Sequence, residues 1–302
     1  MNKKNIFIGI ILIIAGYSIG MISYRYNLFP ITQIKKIYHN DIMSSQPLEL
    51  EEQKLDDTIN KTDFNNQDFT VIFAFGQSNS ANYGQTKYEC QEEVYNWFNG
   101  KIYKAKDPLK GASGNKGSVW TRLADKMIRY GVSKKILIVP IGIGSTRISQ
   151  WSTNGEYHNL ITKTINDLKI RKIEIDYIFW HQGESDNLFN TSLETYISEF
   201  ENIRTTLRNN DIKAPIFIAI ATYHPNENSI KNKQYGCDTI IQNAQKNLIE
   251  KFPDIFLGAN TDILDKGYYR HDGVHFSVIG LEKHAELWIE SIKAQQLTRG
   301  NK

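Results

Sequence analysis

In Gly76-Gln77-Ser78-Asn79-Ser80 a serine hydroxyl stands between amide side chains, directly after the apolar run TVIFAF. Serine after glycine at such a place is most often a turn residue or a helix cap, and it becomes a nucleophile only with a general base at hand. A base is offered near the C-terminus, in Arg270-His271-Asp272-Gly273-Val274-His275-Phe276, where the Asp-x-x-His spacing lets the Asp272 carboxylate hold the His275 imidazole. In such a pair the imidazole takes the serine proton during attack, while the carboxylate fixes the tautomer and stabilises the imidazolium. His271 and His275, four apart, also have the spacing of two metal ligands. No H-E-x-x-H, nearby cysteine or dense carboxylate set accompanies them, so neither a metal nor a cofactor is expected.

Two further stretches are chemically loaded. Gly142-Ile143-Gly144-Ser145-Thr146-Arg147 is a glycine-rich turn, either a tight βα connection that needs positive φ or a set of backbone N–H groups aimed at an anionic oxygen. It has neither the G-x-G-x-x-G spacing nor a P-loop lysine, which disfavours a nucleotide. Trp180-His181-Gln182-Gly183-Glu184-Ser185-Asp186 crowds polar groups directly behind the apolar IDYIF. Buried beside a sheet end, such groups need hydrogen bonds, from a structural network or from a site.

All four stretches are set by a regular alternation of elements. The near-continuous apolar runs at 70–76, 135–142, 175–183, 215–223 and 254–260 read as strands buried on both faces. Between them, 119–130, 158–168, 193–207, 239–252 and 277–292 carry apolar residues at three-to-four spacing, as surface helices do. This βαβα order predicts an α/β fold, a three-layer α/β/α sandwich with a mostly parallel central sheet, and one domain over 69–296. Ligands in such sheets bind outside the carboxyl ends of the strands, where the loaded stretches begin.

The N-terminal run at 5–24 has the roughly 20 apolar residues of a transmembrane helix and no small-residue cleavage pattern, so 1–24 is expected to be an uncleaved membrane anchor. Residues 25–68 are polar, without sustained period, and read as a linker. The nearest charges, Lys3 and Lys4, favour an inside N-terminus and an extracytoplasmic catalytic domain. Lys+Arg 36 against Asp+Glu 33 gives a net charge of only +3, too little basic surplus to expect nucleic acid as a partner. Cys90 and Cys237, the two cysteines, exclude a disulfide-rich scaffold and form one bridge or none.

Taken together, Gly76-Gln77-Ser78-Asn79, Gly144-Ser145-Thr146 with Trp151 beyond it, Trp180 to Asp186, and Asp272-Gly273-Val274-His275-Phe276 resemble the four sequence blocks of the SGNH-hydrolase superfamily. The resemblance is closest to its sialate O-acetylesterase and acetylxylan esterase branch of carbohydrate esterases, and it spans 69–288. It implies an SGNH (flavodoxin-like) fold and a serine esterase that removes acetyl groups from O-acetylated sugars such as sialic acid, xylan or a surface polysaccharide. It also implies Ser78 as nucleophile, His275 as base and Asp272 as its orienting carboxylate, with an oxyanion hole of the Ser78 and Gly144 N–H groups and the Gln182 amide. Gln77, Asn79 and Glu184 would support these. Two departures stand out: Ser145 replaces a family glycine, and Ser185 occupies the place of the wider superfamily's oxyanion asparagine. A membrane-anchored polysaccharide O-acetyltransferase with the same triad is the alternative, since the sequence is silent on whether water or a sugar reaches the acyl-enzyme. Trp97, Phe98, Trp151, Tyr157, Tyr223 and Tyr268 are either sugar-stacking rings or packing residues, and Arg147 is either a carboxylate partner or an ordinary surface residue.

Overall fold

The apolar run TVIFAFG becomes β1 (Thr70–Gly76), the centre of a seven-stranded sheet in the computed structural model, which describes residues 69–225 and 236–300. The chain continues through β2 (Val94–Phe98), β3 (Lys101–Lys104), α1 (Val119–Arg129), β4 (Ile136–Pro140), α2 (His158–Ile170), β5 (Tyr177–His181), α3 (Glu184–Leu188), α4 (Leu193–Asn209), β6 (Ile216–Ile220), α5 (Thr239–Lys251), β7 (Ile255–Asn260) and α6 (Val278–Gly300). The sheet order is β3-β2-β4-β1-β5-β6-β7, parallel throughout except for the antiparallel edge strand β3. The expected membrane-spanning run and linker, up to residue 68, lie outside the described residues. Among the described residues no helix is long and apolar enough to cross a membrane.

Alternation along the strands divides the core in two. Phe73, Phe75, Val139, Trp180 and Ile218 face α2, α4 and α5, which contribute Ile161 and Ile165, Phe200 and Ile203, and Ile241 and Leu248. Ile72, Ala74, Ile138, Phe179 and Phe217 face α1 and α6, which contribute Trp120, Leu123, Ala285 and Trp288. Both faces of the sheet are therefore apolar, which is why its strands read as unbroken hydrophobic runs. Each fully buried Phe or Ile here contributes about 1.5–3 kcal/mol relative to exposure. The helices start where the sequence supplies a cap: the Ser118 side chain accepts from Trp120 N at the head of α1, and that of Ser192 accepts from Thr195 N at the head of α4.

The β2–β3 hairpin is not among the expected strands. Its two-residue Asn99-Gly100 turn has φ of 46° and 75°, the left-handed pair that matches hairpin twist. Trp97 and Phe98, expected near loops or strand ends, lie in β2, where Trp97 packs in the core. Cys90 and Cys237 are both free thiols.

The strand order has one consequence for the site. The chain leaves β1, builds β2 to β4 on one side, and then crosses to β5 on the other, so β1 lies between β4 and β5 at the topological switch. In sheets of this kind ligands bind outside the carboxyl ends of the strands at that switch, which is where the loops after these three adjacent strands begin.

Candidate active site

Ser78 is delivered by a sharp bend at the end of β1. Gly76 has φ of 134°, and a Cβ there would fall 2.1 Å from the carbonyl oxygen of His181, so no other residue fits. After it, Gln77 N donates to His181 O at 3.0 Å, and Ser78–Ser80 form one turn of 3-10 helix closed by Ser80 N to Gln77 O and Ala81 N to Ser78 O. Ser78 is buried. Its neighbour Asn79 donates to Glu184 Oε1 at 2.8 Å and makes a long contact with Val274 O at 3.5 Å, which joins the serine turn to both the β5 loop and the histidine loop.

The histidine loop holds a tight pair. His275 Nδ1 lies 2.7 Å from Asp272 Oδ2, while Asp272 Oδ1 accepts from the backbone N–H of Val274 and His275. Partial burial acts to raise the Asp272 pKa, but the hydrogen bonds from His275 and the two N–H groups hold it well below the usual carboxylate range. Asp272 is thus an ionised acceptor across neutral pH, and His275 carries its proton on Nδ1, leaving the Nε2 lone pair for a substrate-side proton. No hydrogen bond joins Ser78 Oγ to His275 among the described residues; in unliganded hydrolases this contact often closes only with substrate.

Two residues outside the sequence expectations fix this loop. The Tyr83 ring stacks on His275 at 5.2 Å between centroids, and its hydroxyl abuts Gly144, where a Cβ would meet it at 2.6 Å. Arg270, fully buried, donates to Leu264 O, Val274 O and Thr261 O at 2.9, 2.7 and 3.0 Å, with its guanidinium over the Phe276 ring. Arg270 stands inside the quoted histidine stretch and Tyr83 five residues after Ser78, but spacing alone gives neither a role. His224, just beyond β6, belongs to the same neighbourhood: burial lowers its pKa, Glu184 opposes that and His275 adds to it.

His271, Asp272 and His275 each offer a ligand atom, all within 4.8 Å of one another, so the loop has the donors of a divalent transition-metal site. Their present arrangement serves other ends. Asp272 Oδ2 and His275 Nδ1 are engaged with each other, and His271 Nε2 faces the Tyr83 carbonyl at 3.3 Å, the position of a donor.

The loops after β4 and β5 bring the remaining expected residues together. Gly144 N donates to Ser113 Oγ at 2.8 Å. Ser145, which replaces the family glycine, has φ of 60°, the left-handed region in which a serine is strained. Gln182 is fully buried, and its Nε2 donates to Thr146 O, Gln77 Oε1 and the carboxylate of Asp186. Burial raises the Asp186 pKa against the bonds it accepts from Thr191, Ile148 N and Gln182. Glu184 is fully buried as well; burial raises its pKa, yet the adjacent His181 ring and the bonds from His181 and Asn79 leave it below the ordinary value.

The aromatic candidates divide. Trp151 is a core residue whose Nε1 donates to Thr146 Oγ1, Tyr157 packs on Trp151, and Tyr223 lies under Arg270. Tyr268 is 60% exposed and stays available to a ligand. Arg147 is exposed beside the β4 turn, over the exposed ring of Phe189 at 4.8 Å.

The profile of the family described as SASA, carbohydrate esterase, sialic acid-specific acetylesterase, matches residues 68–287. Among solved structures, a protein from Arabidopsis thaliana is similar with a TM-score of 0.58 at 17% identity, the match covering 76% of this chain and 98% of that one. NanS is similar with a TM-score of 0.52 at 16% identity, covering 77% of this chain and 98% of its own. At these identities the likeness is one of fold. No curated protein matches the chain.

Proposed function

The chain belongs to the carbohydrate esterase family of sialic acid-specific acetylesterases, and from that premise we propose that it removes acetyl groups from O-acetylated sialic acid or a related acidic sugar through an acyl-serine intermediate. The observation that carries the reading is the 2.7 Å pair of His275 Nδ1 and Asp272 Oδ2, on the loop whose Val274 carbonyl is met by Asn79, the residue after Ser78.

Ser78 Oγ attacks the ester carbonyl carbon as its proton passes to His275 Nε2, and Asp272 stabilises the imidazolium that forms. Collapse of the tetrahedral intermediate breaks the bond to the sugar oxygen, which leaves with the proton from His275. Water then attacks the acetyl-serine, His275 takes its proton, and release of acetate returns that proton to Ser78. The negative charge on the carbonyl oxygen is received by the N–H groups of Ser78 and Gly144, the latter released from Ser113, and by an amide of the Gln77–Gln182 pair. The exposed Arg147 guanidinium beside the β4 turn suits the carboxylate of an acidic sugar.

The test is acetate release from O-acetylated sialic acid, acetylated xylan oligosaccharides and p-nitrophenyl acetate by the wild type and by Ser78→Ala. The reading expects serine-dependent release, fastest from the sialate. Release that survives Ser78→Ala overturns the nucleophile, and a preference for xylan overturns the acidic substrate.

A further inference from the structure

The hydrogen bonds of the histidine loop turn one oxygen toward two imidazoles. Asp272 Oδ1 accepts the backbone N–H groups of Val274 and His275, which orients the carboxylate. Its Oδ2 then stands 2.7 Å from His275 Nδ1 and 3.7 Å from His271 Nε2. Ligand atoms of a tetrahedral zinc ion lie about 2.0–2.2 Å from the metal and hence about 3.3 Å from one another. One of the two separations is shorter than this and the other longer, each by a fraction of an ångström, and the three ligand atoms all lie within 4.8 Å of one another. Two imidazoles with one carboxylate suit zinc, copper or nickel, whereas magnesium and calcium prefer oxygen ligands throughout. The Asp272 side chain is 41% exposed and that of His275 21%, so an ion enters from solvent and water completes its shell.

Metal binding and catalysis exclude each other at this loop. In the arrangement described above, His275 donates from Nδ1 to Asp272 and keeps its Nε2 lone pair for the Ser78 proton. A metal takes the lone pair of Nδ1, so the neutral ring must carry its proton on Nε2 instead, and the base is lost. His271 makes the same exchange. Its Nε2 gives up the long contact to Tyr83 O at 3.3 Å as its proton moves to Nδ1. Each neutral ring only changes tautomer, so no net proton is released and no covalent bond to substrate is involved.

We propose that His271, Asp272 and His275 form an inhibitory site for zinc or a similar divalent transition metal, in which His271 supplies the third ligand to the catalytic pair. The inhibition rests on the acyl-serine reading above; the binding of the metal does not.

The test takes the full chain after treatment with a chelator and titrates it with zinc chloride, with magnesium chloride as the oxygen-seeking control. Three quantities are followed: hydrolysis of p-nitrophenyl acetate, the rate of fluorophosphonate labelling, and heat of binding by calorimetry. The expected result is one zinc bound per chain, hydrolysis and labelling that fall together, full recovery on adding EDTA, and no effect of magnesium at the same concentration. His271→Gln keeps an N–H for the Tyr83 carbonyl but removes an imidazole ligand. Loss of an outer-shell partner already costs about 10 to 100-fold in metal affinity, so His271→Gln should raise the half-inhibitory zinc concentration by at least about tenfold, measured against its own metal-free rate. Unchanged zinc sensitivity in folded His271→Gln overturns the proposal, as does equal inhibition by magnesium, or activity that the chelator removes and zinc restores. Ser78→Ala separates the two levels. Activity in that variant refutes the acyl-serine reading, while the calorimetric difference between wild type and His271→Gln still decides the metal site.

Discussion

Asn79 Nδ2 lies 2.8 Å from Glu184 Oε1, a contact between residues 105 apart in sequence, and His181 Nε2 reaches the same oxygen at 3.2 Å. One buried carboxylate thus ties the turn that carries Ser78 to the loop after β5. Glu184→Ala strands two buried donors and should destabilise the fold by on the order of 3 kcal/mol, read as a lower urea midpoint. The sign with pH follows from the lowered Glu184 pKa. Its contribution is complete above the unfolded value of about 4.3 and is lost as pH falls through the lower folded value, so Glu184→Gln should flatten the acid limb of stability.

Asp272 is ionised well into the acid range because His275 and two backbone N–H groups hold it. The pH profile of kcat/KM should therefore show no step from Asp272 above the ordinary carboxylate value of about 3.9. Its stabilising contribution is present above that value and is lost only as pH falls through the lower folded one. Asp272→Asn should leave the protein folded with a residual rate on the order of 10³ to 10⁴-fold below wild type, measured by acetate release.

Arg270 holds three carbonyl groups with one planar fork, including that of Val274, the residue before His275. Lysine cannot reproduce the fork. Arg270→Lys should lower the thermal midpoint and cut kcat together, and a variant that kept both would show that the loop is held by other contacts.

Tyr83 touches both the histidine loop and the β4 turn. Gly144→Ala should push the Tyr83 ring off His275, since its Cβ would sit 2.6 Å from the hydroxyl, and kcat should fall by about tenfold or more. Tyr83→Ala, which removes the ring, should restore stability to Gly144→Ala in a double-mutant comparison.

The parallel sheet was legible because burial on both faces leaves an unbroken apolar signature. β1 coincides with its expected run, and α1 ends at Arg129 against an expected 130. The β2–β3 hairpin was missed although Asn99-Gly100 is a strong hairpin signal, because β3 has only four residues and Val94–Phe98 contains an interior asparagine. Asn96 is satisfied largely by residues distant in sequence, with Oδ1 accepting from Lys110 N and Nδ2 donating to Lys110 O and Ile138 O besides the adjacent Trp97 O. Of the site, the Asp272–His275 pair could be read from its spacing, since both partners lie in one local turn. The engagement of Gln182 and the parts of Tyr83 and Arg270 could not, because each depends on partners brought in from distant loops.

The most direct test of the account is the site of covalent capture. A fluorophosphonate added to the full chain should label the peptide that carries Ser78, with the rate of labelling and acetate release both collapsing in His275→Ala. Labelling at another residue, or undiminished labelling of Ser78 in His275→Ala, would contradict the nucleophile and base assigned here.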